Sequence, residues 1–513
     1  LTVFAEVFDH PQGLSTARPT DTRSSVRWYI VAVIALLIQA LPYFSHRWVT
    51  DESWYTGPGY SIAHGHGVAD PAIGPNDLEN HFDARPPGTA LVISAFFKLF
   101  GAGQTQARLG SLLAAIVVVS ATYGIAREVL GKEAAAIAAL VTATDNFLIA
   151  SARTARPEAL TTMAVTLALL AMLFYGKANS RAVWAFFSGV LIAMAAMFHI
   201  TVLGFVISLG LLAIVIDWKQ GRFPIRGALL YTVGFFTGLV PFAVWILTNP
   251  LGRTGFRAEY LARVHETLLM KLIHETRRYS DMLGLHQLHG HGLEWVPVRL
   301  PIVLCFVAAT FILWKYARRL FYLELLLVLP TILWFVETAN KSSRYFALSA
   351  PFIGLTVGAA AAVTLNRPGW RKPVVAVVSL LVAMQFVSNV VLLRAASRAD
   401  YNKVGAELRS VVPAGQPVYG TITFWLAFRD YPFISYERTT PRMAEEQFGV
   451  HYFVLGDRMM TQGEPWDAQF YADMNEYLAA LVDRSTLVGR FPDPYYGDLR
   501  VYRTGTGSQS NTQ

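Results

Sequence analysis

The sequence predicts a mainly α, polytopic membrane protein with a small α/β domain at its C-terminal end, on the side away from the cytoplasm. Three observations carry that expectation. Of the 513 residues, 54% are hydrophobic and only 15% charged, against about a quarter charged in soluble domains. The apolar residues gather into runs of about 17–20, the length that crosses a hydrocarbon core of roughly 30 Å. The basic residues behind the net charge of +8 fall in short loops between those runs, as the positive-inside rule describes. That placement argues against a nucleic-acid partner. The lone cysteine, Cys305, allows no intramolecular disulfide.

Eleven runs read as crossings: 27–44, 107–126, 133–150, 158–176, 182–198, 200–216, 228–248, 299–316, 321–337, 344–363 and 374–393. Residues 1–26 are polar, with Arg18 and Arg23 before Arg27, and read as a cytoplasmic segment rather than a cleavable signal. The stretch 87–101 is apolar but short, and Lys98 stands near its end. If it does not cross, the basic segments around Arg127, Lys177, Lys219, Lys315 and Arg371 all share the side of the Arg-rich N-terminus; if it crosses, all of them move outside. The charge bias therefore makes 87–101 interfacial, the N-terminus cytoplasmic and the C-terminus extracytoplasmic. The expected protein is multi-pass in the plasma (inner) membrane. Its transmembrane domain covers 27–393, with long outer loops at 45–86 and 249–298.

Past residue 393 the composition changes. Strand-like runs at Pro417–Phe424, His451–Leu455 and Leu499–Tyr502 are separated by helix-like stretches at Asn402–Val411 and Asp467–Leu481. Residues 394–504 thus read as a soluble α/β domain, and 505–513 as a disordered tail. No tandem repeat and no heptad pattern is present.

The residues suited to chemistry lie mostly in the outer segments. Ten of the twelve histidines fall there, and His199 sits at an outer turn. The first outer loop opens on Asp51-Glu52 with Tyr55 close behind, and closes on Arg85-Pro86-Pro87. The prolines hold Arg85 in an extended entry to the next segment, where a guanidinium can take a phosphate bidentately. The turn Arg153-Thr154-Ala155-Arg156-Pro157-Glu158 and the turn carrying Lys341, Arg344 and Tyr345 put cations outside, against the charge bias. Glu158 would open a span, where the helix dipole favours an anion. Together these turns suit an anionic lipid headgroup, a phosphate or pyrophosphate. The pairs His64-Gly65-His66 and His289-Gly290-His291 invite a metal reading, but flexible glycine spacing fixes no coordination geometry. Surface-loop histidines are the simpler account, and no metal ligand is assigned.

The ordered set of motifs resembles the GT-C superfamily of integral-membrane glycosyltransferases, of the branch holding protein O-mannosyltransferases and the lipid A aminoarabinose transferase. It comprises Asp51-Glu52 with Tyr55, Arg85-Pro86-Pro87, Lys98 to Gly101 with Arg108, Arg127 with Leu130-Gly131, Arg156/Glu158, and Lys341/Arg344/Tyr345. The resemblance covers about residues 27–393. It implies a sugar moved from a polyprenyl-phosphate donor to an acceptor hydroxyl on the extracytoplasmic face, with inversion. Asp51 would be the general base and Glu52 its neighbour in the catalytic pair. Arg85, Arg156, Lys341, Arg344 and Tyr345 would bind the donor phosphate, with Tyr55, Arg153, Glu158, His199 and His265 in support. His199-Ile200-Thr201 departs from the turn that many relatives carry, and the loop 249–298 has only scattered likeness, including His265-Glu266. No cofactor is implied with certainty, and a divalent ion stays open. The acceptor (lipid, glycan or protein) also stays open; membrane lipids are the other expected partners.

Two other classes compete. A lipid or glycan transporter would place ionisable groups mid-span and often repeat internally, whereas most polar candidates here stand at outer ends and no repeat is found. A non-catalytic glycolipid-binding subunit would bind donor lipid without transferring sugar.

Overall fold

The computed structural model describes residues 22–72, 85–177, 182–223, 225–248, 267–282, 296–337, 343–396, 399–437, 439–456 and 468–505. Every run expected to cross is helical. Seven helices among the described residues are long and apolar enough to span a bilayer, and an eighth if one bent pair counts as a single span. Val183–Phe198 and Leu300–Tyr316 are apolar but shorter. The stretch expected at the interface forms a 13-residue helix, Gly88–Phe100, which reaches about 20 Å at 1.5 Å per residue.

The chain divides into two compact units. The first comprises 1–41, 84–89 and 110–393; the second comprises 42–83, 90–109 and 394–513.

In the first unit, small residues set the helix spacing. Gly354 and Gly358 lie four apart on Ala350–Leu365. A Cβ at Gly358 would stand 2.8 Å from the Ala134 carbonyl oxygen, and one at Gly354 would meet the Thr142 hydroxyl. Backbones that approach this closely are how membrane helices gain packing, since lipid offers no hydrophobic drive between them. Gly354→Val is expected to destabilise the folded protein by about 1–3 kcal/mol through overpacking, read as a lower unfolding temperature in detergent.

One expected span, 133–150, is broken. Lys132–Thr144 and Asn146–Ala152 meet at a 60° bend. Asp145 causes it: its backbone is extended, and its Oδ1 accepts from the amides of Phe147 (2.9 Å) and Leu148 (3.0 Å), capping a new helix. Around the break lies a buried polar network. Asn389 Nδ2 donates to Gln39 Oε1 (2.8 Å) and to the Thr144 carbonyl (2.9 Å), and Asn146 Nδ2 donates to Asn389 Oδ1 (2.9 Å). Carbonyls freed by the break thus find donors on the first and last long apolar helices, Thr22–Ala40 and Arg371–Ala396, as unpaired backbone groups in hydrocarbon must.

The second unit holds a five-stranded sheet. Its strands are β1 (Val418–Gly420), β2 (Phe433–Ser435), β3 (Tyr452–Gly456), β4 (Ser485–Asp493) and β5 (Gly497–Thr504), in the order β2-β1-β3-β5-β4. β1 pairs in parallel with β2 and β3, while β5 runs antiparallel to β3 and β4. Helices Tyr401–Ser410, Pro441–Phe448 and Ala468–Asp483 belong to the same unit. The strand-like run at 417–424 stops at Gly420, and Ile422–Phe424 turn into a 3-10 helix under a Thr421 side-chain cap.

Residues 45–72, from the loop expected on the outer face, belong to this unit and are helical over Thr50–Ala63. The Tyr496 hydroxyl accepts from the Trp48 amide (2.8 Å) and donates to the Trp48 carbonyl (3.1 Å), and Thr50 bonds Thr423 (2.9 Å). The Ser435 amide donates to the Ala72 carbonyl at 2.7 Å. The C-terminal sheet and the acid-bearing helix are therefore one body.

Candidate functional site

The sequence-derived candidates divide between the two units. Asp51, Glu52 and Tyr55 lie in the second; Arg85, Arg153, Arg156, Glu158, His199, Arg344 and Tyr345 lie in the first. Lys341 and His265 lie outside the described residues.

Asp51 and Glu52 occupy the first turn of Thr50–Ala63, where the free amides and the dipole favour carboxylates. Their surroundings differ. Glu52 is fully buried and gripped by Arg108, itself fully buried: Nε donates to Oε1 and Nη2 to Oε2, both at 2.8 Å. Glu52 Oε2 also accepts from the Val49 amide (3.0 Å). The remaining Arg108 donors go to the carbonyls of Tyr43, Phe44 and Arg47, and the guanidinium lies over the rings of Tyr43 and Trp48. Asp51 is partly exposed. Of the two adjacent acids, then, one anchors the helix start and the other keeps part of its surface exposed. Tyr55 is buried one turn further on.

In the first unit four separated turns converge. Arg156 is the N-cap of Pro157–Tyr175, and its Nε and Nη2 hold Glu158 Oε1 at 3.0 and 2.6 Å. Both side chains are buried. His199 ends Val183–Phe198, with its Nδ1 accepting from the Thr201 amide (3.2 Å). Its ring packs on Tyr345, centroids 4.4 Å apart. Arg344 is the second residue of a 3-10 segment, Ser343–Ser349, and acts electrostatically on Glu158.

Burial, Arg156 and Arg85 push His199 down from 6.5 to about 4, although Glu158 pulls the other way. The imidazole is thus neutral across physiological pH. Since Nδ1 is an acceptor, Nε2 carries the proton and can donate. The unfolded chain binds a proton near pH 6.5 and the folded chain only near 4, so stability contributed by neutral His199 is complete above pH 6.5 and lost as pH falls towards 4. The difference amounts to roughly 3 kcal/mol. His199→Gln is expected to flatten the acid limb of the unfolding-temperature profile in that window.

Arg153 takes a different part. Its Nε donates to the Gln39 carbonyl (2.8 Å) and Nη2 to that of Asn389 (3.3 Å), so it braces the polar network at the helix break. Gln39 and Asn389 were not among the sequence candidates. The signal for them was an amide side chain inside an apolar run, which in hydrocarbon needs a partner. Among the described residues, no three His, Cys, Asp or Glu side chains gather as a metal site. His64 is stacked on Tyr60, 3.9 Å between centroids.

Residues 84–247 match the family model for dolichyl-phosphate-mannose-protein mannosyltransferase. The matched segment holds Arg85, Arg156, Glu158 and His199. The fold is similar to that of ArnT from Cupriavidus metallidurans bound to undecaprenyl phosphate, with a TM-score of 0.66 at 15% identity over 95% of this chain and 99% of that one. The chain thus shares the fold of ArnT, and its segment 84–247 matches that mannosyltransferase family model. The likeness in fold extends to the apo form of the same ArnT, with TM-score 0.63, 15% identity and coverage of 94% and 98%. It also reaches the archaeal oligosaccharyltransferase AglB from Archaeoglobus fulgidus, in complex with an inhibitory peptide and a dolichol-phosphate, with TM-score 0.52, 12% identity and coverage of 95% and 75%. No curated protein matches the sequence.

Proposed function

We propose that this chain is a GT-C glycosyltransferase that transfers a sugar from a polyprenyl-phosphate donor to an acceptor hydroxyl on the extracytoplasmic face, inverting the anomeric centre. The observation that carries the donor half is that Arg85 and Arg156 act on a neutral His199, while Arg156 and Arg344 act on Glu158 beside it. These four described residues, three cations and one carboxylate, carry a net +2. A lipid-phosphate sugar carries one negative charge on its phosphodiester, and the departing lipid phosphate carries close to two. A fixed positive field therefore favours the leaving group over the bound donor, and only such a difference accelerates the chemical step. His199 Nε2–H adds a neutral donor that does not compete for the charge. The undecaprenyl phosphate bound to ArnT and the dolichol-phosphate bound to AglB support a lipid phosphate as the donor's carrier.

For the acceptor half, Asp51 is the general base. It takes the proton from the acceptor hydroxyl as that oxygen attacks the anomeric carbon and the bond to the phosphate oxygen breaks. Glu52 and Arg108 hold the helix start that presents it. Tyr345 positions His199. Lys341 joins the phosphate-binding cations on the strength of its motif, His265 stands in the acceptor-shaping loop, and a chelator titration reports whether a divalent ion takes part.

Arg85 tests the donor half. Arg85→Ala removes a charge-assisted contact to phosphate, expected to weaken binding by roughly 10–100-fold. Affinity for undecaprenyl phosphate, followed by native mass spectrometry, should fall in step with a raised donor KM. An unchanged affinity removes Arg85 from the phosphate site.

A further inference from the structure

A groove of about 890 Å³ runs within the first unit between Thr22–Ala40, Lys132–Thr144 and Arg371–Ala396. Its middle is apolar, walled by Val31, Ala35, Ile137, Leu140, Val378 and Val382. From Arg371 to Val387 it follows one helix for about 24 Å. Trp28, Val375 and Val387 on its walls remain 51%, 51% and 59% exposed, so none of the described residues fills it. At membrane depth such a surface is covered by hydrocarbon chains rather than water.

The two ends differ. One end holds Lys132 and Arg371, with Glu133 and Ser25 beside them. The other ends at Thr144, whose carbonyl is bonded by Asn389. Two cations against one carboxylate favour an anionic headgroup. The distribution of basic loops puts this end towards the cytoplasm, where membrane lipids are anionic and basic pockets between helices bind their headgroups.

We infer that the groove is a binding site for an anionic diacyl phospholipid, its chains along the apolar wall and its phosphate against Lys132 and Arg371. It is distinct from the donor-phosphate cluster. Lys132 begins the bent helix pair, and Arg153 and Arg156 follow the pair's far end.

The test uses the full chain, delipidated in neutral detergent, with phosphatidylglycerol and phosphatidylcholine of identical chains added separately and read by native mass spectrometry. Wild type is expected to bind phosphatidylglycerol roughly tenfold more tightly, from two cations near one phosphate. The double variant Lys132→Gln/Arg371→Gln should lose that preference and keep its phosphatidylcholine binding. Ala383→Trp, which fills the groove midway without altering charge, should weaken both lipids and carries the test if the double variant does not fold. Equal binding of the two lipids by wild type overturns the headgroup assignment. Phosphatidylglycerol binding unchanged in both variants places the lipid elsewhere and overturns the site. One-for-one displacement of phosphatidylglycerol by undecaprenyl phosphate would make the groove a donor-tail channel and overturn the inference.

Discussion

Asp51→Asn is expected to lower the rate of sugar transfer by about 10²–10⁴-fold, the usual contribution of a positioned general base, with little change in donor affinity or unfolding temperature. The substitution keeps the shape of a side chain that is partly exposed in the first turn of its helix, so the loss should appear in kcat. Transfer at the wild-type rate would refute the assignment of the base. Loss of donor binding in parallel would instead make Asp51 part of the donor site.

The adjacent acid should behave in the opposite way. Glu52→Gln leaves the Arg108 guanidinium fully buried without its counter-charge, and breaking such a pair from one side costs about 3–5 kcal/mol. The carbonyls of Tyr43, Phe44 and Arg47 accept from Arg108 but bring no compensating charge. A large fall in unfolding temperature is therefore expected, with activity lost through the fold. Replacing both partners by apolar residues of similar volume, Glu52→Leu with Arg108→Met, should recover most of the stability. An unaltered unfolding temperature for Glu52→Gln would show that the pair does not anchor the helix. The two neighbouring variants thus separate an acid that performs chemistry from one that holds it in place.

Hydropathy made the helical runs readable because each is apolar in its own side chains, whatever its neighbours, and seven or eight helices among the described residues are long and apolar enough to cross a bilayer. The bend at Asp145 was missed for the same reason: an apolar window averages over a single capping residue, although an Asp followed by Asn in mid-run is itself a helix-start signal. Arg85, Arg156, Lys341 and Arg344 were legible singly, as cations on the side that the charge bias leaves poor in them. Their geometry was not, because the meeting of Arg85, Arg156, His199 and Arg344 depends on how helices distant in sequence pack. The partner of Glu52 had no local sign either, since Arg108 stands 56 residues away. Nor did any pattern in 45–86 foretell that its helix shares a body with the C-terminal sheet.

That shared body has a consequence for biosynthesis. Trp48 and Tyr496 are 448 residues apart, and at about 5–20 residues per second a ribosome needs roughly 20–90 s to make the chain between them. The turn that carries Asp51 leaves the ribosome early and must wait, incompletely braced, until the last strands emerge. Premature chain ends between the last apolar helix, Arg371–Ala396, and Tyr496 would yield a protein whose apolar helices are all made and whose acid lacks its brace. A chimera that exchanges the C-terminal sheet with that of a relative would need to exchange residues 42–83 and 90–109 along with it.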